Sequence, residues 1–162
     1  MAVATLSSLP ATADPDADCA VPVPAALREE ALRLTNQARA QPRDCGLRGH
    51  FAGAPALRWS APLEAVADRQ AQWLAPTMTL SHEGPAGQTI GQRAREAGYR
   101  FGRVTENLAH GQRDVATVIE QWLASDGHCA NLMDGGVREF ALVCRASGDG
   151  RPLWAMVLAR PR

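Results

Sequence analysis

Three side chains far apart in the chain have the chemistry of a site: His82 in "TLSHEG", Glu106 in "VTENLAHG" and His128 in "SDGHCANLM". An imidazole can act as general base, metal ligand or proton switch near neutral pH, and a carboxylate can orient it or share its ion. The three lie 24 and 22 residues apart, so no single local element joins them. His50 and His110 complete the histidine set. Ser81 and Ser125 stand near His82 and His128, a combination that a hydrolase would need, with Glu106 to orient one histidine. No G-x-S-x-G elbow accompanies them. On spacing alone, exposed loop residues or satisfied structural histidines are the simpler account.

His128 is followed by Cys129, which raises metal ligation, nucleophilic chemistry and a disulfide as alternatives. The four cysteines are Cys19, Cys45, Cys129 and Cys144. An even count without C-x-x-C suits two disulfides in an oxidising compartment. Three pairings exist, and proximity in sequence favours Cys19–Cys45 with Cys129–Cys144. If a helix starts at this point, Cys129 diverges from His128 by about 100°, which favours the disulfide over a nucleophile.

The elements that must position these residues are mostly helical. In "PAALREEALRLTNQARAQP", Leu27, Ala31, Leu34 and Ala38 share a face, between Pro24 and Pro42. In "SAPLEAVADRQAQWLAP", Ser60 is placed to cap, and Leu63, Val66, Ala67, Gln70 and Leu74 form a stripe ending at Pro76. A shorter helix fits "TIGQRAREAG", with Ile90, Ala94 and Ala97 inward and Gly98 at its C-terminal end. A fourth fits "DVATVIEQWLA", capped by Asp114, with Val115, Val118, Ile119 and Trp122 toward the core. "RVTENLAHG" reads as a short strand. "EFALVCRA" and "LWAMVLAR", joined by "SGDGRP", read as an antiparallel hairpin. Helices flanking a small antiparallel sheet make an α+β or three-layer αβα domain.

Length and composition fit one domain. The chain has 162 residues, 46% of them apolar, and zero net charge. Seventeen acids match seventeen basic residues, all arginine, so nothing electrostatic argues for nucleic acid or an acidic membrane surface. No stretch approaches the roughly 18 apolar residues of a membrane span. Residues 1–23 read as a leader and 24–162 as the domain. Ala11-Thr12-Ala13 resembles a signal-peptidase site, yet no basic segment precedes it. The leader is therefore either the tail of a signal peptide or a disordered Ala/Pro/Asp stretch.

The blocks "LSHEG", "TENLAHG", "QWLASDGHCANLM" and "GVREFALVC", in that order, resemble the CAP superfamily of cysteine-rich secretory, antigen 5 and pathogenesis-related proteins. The likeness is to its bacterial branch of secreted SCP-domain proteins and covers about residues 25 to 160. It implies a three-layer αβα sandwich of the CAP type and an extracellular or periplasmic location. It also implies a surface cleft in which His82, Glu106 and His128 converge and in which several members hold a divalent cation; here the three would be the ligands of zinc or magnesium. Where eukaryotic members place a second glutamate, this chain has Ser125, as many bacterial members do. Asp126 and Glu83 are the nearby acids that could replace it. Thr105 stands where glycine usually precedes the glutamate. Asn107 is expected to hold backbone in that turn. Asn131, Leu132 and Met133 are expected to pack and close the turn.

Three functions follow from these residues. The first is a secreted module whose cleft binds a lipid, peptide or cell-wall fragment. The second is a hydrolase, either Ser/His or metal-assisted. The third is a structural envelope protein with a vestigial cleft.

Overall fold

The computed structural model describes residues 19–162. The expected leader, 1–23, lies outside the described residues except for its last five. Those five are attached to the domain. Cys19 is bonded to Cys144, Val23 is buried, and the Val23 N–H donates to Glu64 Oε1 at 2.9 Å.

Chain order is α1 (Ala25–Arg39), β1 (Arg43–Asp44), β2 (His50–Phe51), β3 (Arg58–Trp59), α2 (Ala61–Leu74), α3 (Ile90–Glu96), β4 (Phe101–His110), α4 (Val115–Leu123), α5 (Asp126–Met133), β5 (Glu139–Ala146) and β6 (Pro152–Pro161). The main sheet runs β3-β5-β6-β4. The β5–β6 hairpin is antiparallel as expected, and β4 pairs antiparallel with β6. The edge strand β3 pairs parallel with β5, so the sheet is mixed where a wholly antiparallel one was expected. Its two residues were too few to leave a period-2 pattern.

Phe140–Cys144 in β5 and Leu153–Ala159 in β6 are buried without interruption. A strand with one wet face alternates; these runs need apolar cover on both sides. α2 supplies it through Leu63, Val66, Ala67, Ala71 and Leu74, and α1, α4 and α5 pack together as the other helical layer. The result is the three-layer αβα sandwich.

Local signals explain most helix limits. Asp114 Oδ1 accepts from the Thr117 N–H at 2.7 Å and caps α4. Gly98, at φ +76°, ends α3. Ser60 occupies the N-cap of α2, but its side chain makes no capping bond. In α1 the fully buried residues are Leu27, Ala31, Thr35 and Arg39, one step round from the expected face, with Leu34 and Ala38 half-buried. The difference comes from Arg39. Its guanidinium is closed off from water and donates to the backbone oxygens of Pro55, Leu132 and Asp134, joining α1 to the end of α5. Burial lowers its pKa to about 10.

The disulfide pairing differs from sequence proximity. Cys19 bonds Cys144, and Cys45 bonds Cys129. Cys144 lies within β5, so its bond straps the N-terminal segment onto the sheet. Cys129 and Met133 of α5 meet Cys45 and Phe51 in a small apolar cluster apart from the main core. Sequence distance misleads here because α5 packs on the turn after β1, not on β5. Peptide mapping without reduction is expected to recover 19–144 and 45–129 linked peptides. Replacing both Cys19 and Cys144 with alanine should cost about 2–5 kcal/mol of unfolding free energy, because that bond closes the longer loop.

Candidate functional site

The site is built outward from the middle of β4. Glu106 and Asn107 are neighbours there, both buried, and lie in register with Val157 and Met156 of β6. Glu106 reaches the segment between α2 and α3; Asn107 reaches α5. Both residues therefore sit in a regular strand, not in the turn expected around Thr105 and Asn107.

On the Glu106 side two histidine-free elements do the positioning. Arg93 of α3, wholly buried, donates to Glu106 Oε2 at 2.6 Å. Its other terminal nitrogen donates to the carbonyls of His82 and Gln88 at 2.9 and 3.0 Å. Gln70 of α2, also wholly buried, donates to the carbonyls of Ser81 and Glu83. The loop bearing His82 is thereby clamped from both helices. Gly84 lets it approach, since a Cβ there would come within 3.1 Å of Arg93 and 3.2 Å of Gln70. His82 Nδ1 then meets Glu106 Oε1 at 3.0 Å, with the imidazole 61% exposed and the carboxylate buried. A carboxylate only accepts, so Nδ1 carries the proton and Nε2 is left to the cavity.

On the Asn107 side the contacts run to α5. Asn107 Nδ2 donates to the His128 carbonyl at 3.1 Å, and Asn131 Nδ2 donates to Asn107 Oδ1 at 2.8 Å. Asn107 does hold backbone, as expected, but that of α5. Asn131 is a polar tie between helix and strand, not apolar packing; Leu132 and Met133 are buried as expected. Ser125 precedes α5, and its Oγ meets His128 Nδ1 at 3.0 Å. Asp126 does not line the cavity. It accepts from the Leu47 N–H at 3.0 Å and anchors the turn that carries Arg48. Gly46 in that turn sits at φ +58°, and a Cβ would collide with the Asp126 carboxylate.

These elements enclose a cleft of about 300 Å³ whose walls include Arg48, His82, Glu106, Ser125, His128 and Asn131. Glu83 is exposed and outside that wall, its amide accepted by Ser81 Oγ. Ser81 is thus a turn residue. Arg48, Gln70 and Arg93 were missed in the sequence. Arg93 stands beside the inward Ala94, so the helical period did place it near the inner face, but a charged side chain there reads as solvated.

The three-residue metal set does not fit as a set of ligands. Both Glu106 oxygens are engaged, one by Arg93 and one by His82. Among the described residues no group of three His, Cys, Asp or Glu side chains is arranged to hold a metal ion. The donors that do face the cleft are the two imidazoles, with Glu106 orienting one of them as a carboxylate orients a ligating histidine. The hydrolase elements are also divided. Ser125 meets His128, whereas the carboxylate meets His82, so among the described residues these hydrogen bonds do not join a serine, a histidine and a carboxylate in one series.

The two histidines are pushed in opposite directions. The hydrogen bond to Glu106 raises the His82 pKa above 6.5. Burial, with a smaller contribution from His82, lowers that of His128 below 6.5.

The sequence of residues 32–158 matches the model of the CAP cysteine-rich secretory protein family. The chain belongs to that family. No curated protein matches it. Among solved structures, an extracellular protein containing an SCP domain from Bacillus anthracis is similar at TM-score 0.68 and 21% identity, over 83% of this chain and 40% of that one. The chain thus spans well under half of that protein. An outer surface protein of Borrelia burgdorferi is similar at TM-score 0.65 and 20% identity, over 83% of this chain and 89% of that one. NaASP2, solved with Zn2+, is similar at TM-score 0.57 and 15% identity, over 85% of each chain.

The histidine shifts predict two limbs of pH dependence. Stability from His82 is fully present below its unfolded pKa of about 6.5 and is lost as pH rises through its higher folded value. The penalty at His128 is absent above about 6.5 and grows as pH falls through its lower folded value. Histidine NMR titration is expected to give His82 the higher and His128 the lower pKa, and Glu106→Gln should bring His82 down with little change at His128.

Proposed function

We propose that this is a secreted binding module whose cleft holds a small anionic ligand, such as the carboxylate or phosphoryl end of a peptide, lipid or cell-wall fragment. One observation carries this: among the described residues the carboxylate in the cleft wall, Glu106, is already bonded to Arg93 and His82, while the Arg48 guanidinium and the His82 imidazole lie in the same wall. Asn131 supplies a polar neighbour, and a volume of about 300 Å³ suits a small molecule or the end of a longer one. Secretion is supported by two disulfides and by the extracellular or outer-surface relatives. Among the described residues no helix is long and apolar enough to cross a membrane.

The Nε2 atoms of His82 and His128 would also hold a divalent transition ion through two imidazoles, leaving its remaining positions for water or ligand. Such an ion, when bound, adds a charge that draws an anionic ligand. Proton and metal compete for His82, so binding weakens as pH falls. A NaASP2 structure with Zn2+ is compatible with this.

Calorimetric titration with zinc is expected to be saturable in the wild type and lost in both His82→Ala and His128→Ala. Acetate or a short N-acetylated peptide should protect the wild type thermally, and Arg48→Gln should reduce that protection. No zinc binding would remove the ion, and no anion effect through Arg48 would remove the anionic ligand.

A further inference from the structure

A cavity of about 420 Å³, larger than the histidine cleft, lies at the start of β4, with Arg95, Tyr99, Arg100, Phe101 and Arg162 in its wall. Three elements deliver guanidinium groups to it. Arg95 comes from the last turn of α3 and stands 5.2 Å from the centroid of the Phe101 ring. The Gly98 turn leads from α3 into β4 and presents Arg100. The end of β6 lies beside the start of β4: Phe101 faces Pro161, and the Arg162 N–H donates to the Arg100 carbonyl at 3.1 Å. Arg162 is therefore held next to Arg100. Arg160 lies against Gly102, where a Cβ would come within 3.2 Å of its guanidinium.

None of these four arginines forms an ion pair among the described residues, and none of their guanidinium groups has a hydrogen-bond acceptor there. The acids on the flanking elements are already engaged. Glu96 accepts from Gln88 and pairs with Arg69; Glu139 pairs with Arg58 and accepts from the Tyr99 hydroxyl. In a chain of zero net side-chain charge, this cavity gathers guanidinium groups that no side-chain carboxylate among the described residues pairs. Arginine's planar fork matches oxyanions bidentately. One carboxylate satisfies one fork, whereas a phosphate monoester offers three oxygens and nearly two charges to several.

We infer that this pocket is a second binding site, independent of the histidine cleft, for a small phosphate ester. Its phosphoryl group is held by Arg95, Arg100 and Arg162, and its apolar or aromatic body lies against Phe101 and Tyr99.

The test uses the whole chain and phenyl phosphate as probe, by calorimetry at low ionic strength. Saturable binding is expected, weaker for inorganic phosphate, which lacks the ring, and weaker with added salt. Arg95→Gln and Arg162→Gln should each weaken it about ten-fold, the loss of one charge-assisted contact. Arg28→Gln, on the exposed face of α1, should leave it unchanged. All three positions are exposed, and circular dichroism checks that the variants fold. No saturable binding by the wild type, or equal binding by the Arg95 and Arg162 variants, would overturn the site. Binding only to phosphatidylcholine vesicles doped with phosphatidic acid, and not to phenyl phosphate, would overturn it in favour of a membrane surface.

Discussion

Glu106 and Arg93 meet at 2.6 Å with both side chains closed off from water. A buried charge left alone costs several kcal/mol, so each of these groups needs the other. The constraint spreads because Arg93 also carries the carbonyls of His82 and Gln88. Strand β4, helix α3 and the loop between α2 and α3 are therefore fixed by one guanidinium. Gln70 adds a second clamp to the same loop from α2. Arginine suits this place and lysine would not, since three acceptors in different directions need the planar fork.

The ion pair also sets the character of the cleft. Arg93 takes one carboxylate oxygen and leaves the other for His82, which turns Glu106 from a free ligand into an orienting group. His128 has no such partner; it rests on Ser125 and on backbone held by Asn107. Two histidines in one cleft are thereby driven apart in proton affinity, one toward the cation and one toward the neutral base. Such a pair can bind an anion at one ring and offer a lone pair at the other. The serine at position 125 sharpens this, because among the described residues the cleft wall holds no carboxylate besides Glu106.

Much of the fold was legible in the sequence because burial leaves a period. The stripe on α2, the face of α4 and the two continuous runs of β5 and β6 follow directly from which residues must leave water. The two-residue strand β3 left no pattern. Disulfide pairing was illegible because it depends on where α5 packs, a tertiary matter that chain distance does not encode. At the site, His82, Glu106 and His128 were found through motif order, not spacing. Arg39, Arg93 and Arg48 were passed over for a physical reason. Arginine is usually solvated, and only a structure shows which backbone oxygens and carboxylates would lose their partners without it.

The cleft depends on coupling between Arg93 and Glu106, and a double-mutant cycle measures it. Arg93→Met, Glu106→Leu and the combined variant would be unfolded with denaturant beside the wild type. The account predicts that each single change costs about 3–5 kcal/mol, because it strands a buried charge, and that the pair together costs far less than the sum. Additive losses would contradict it, and would mean that the two side chains are held independently and that the cleft does not depend on their pairing.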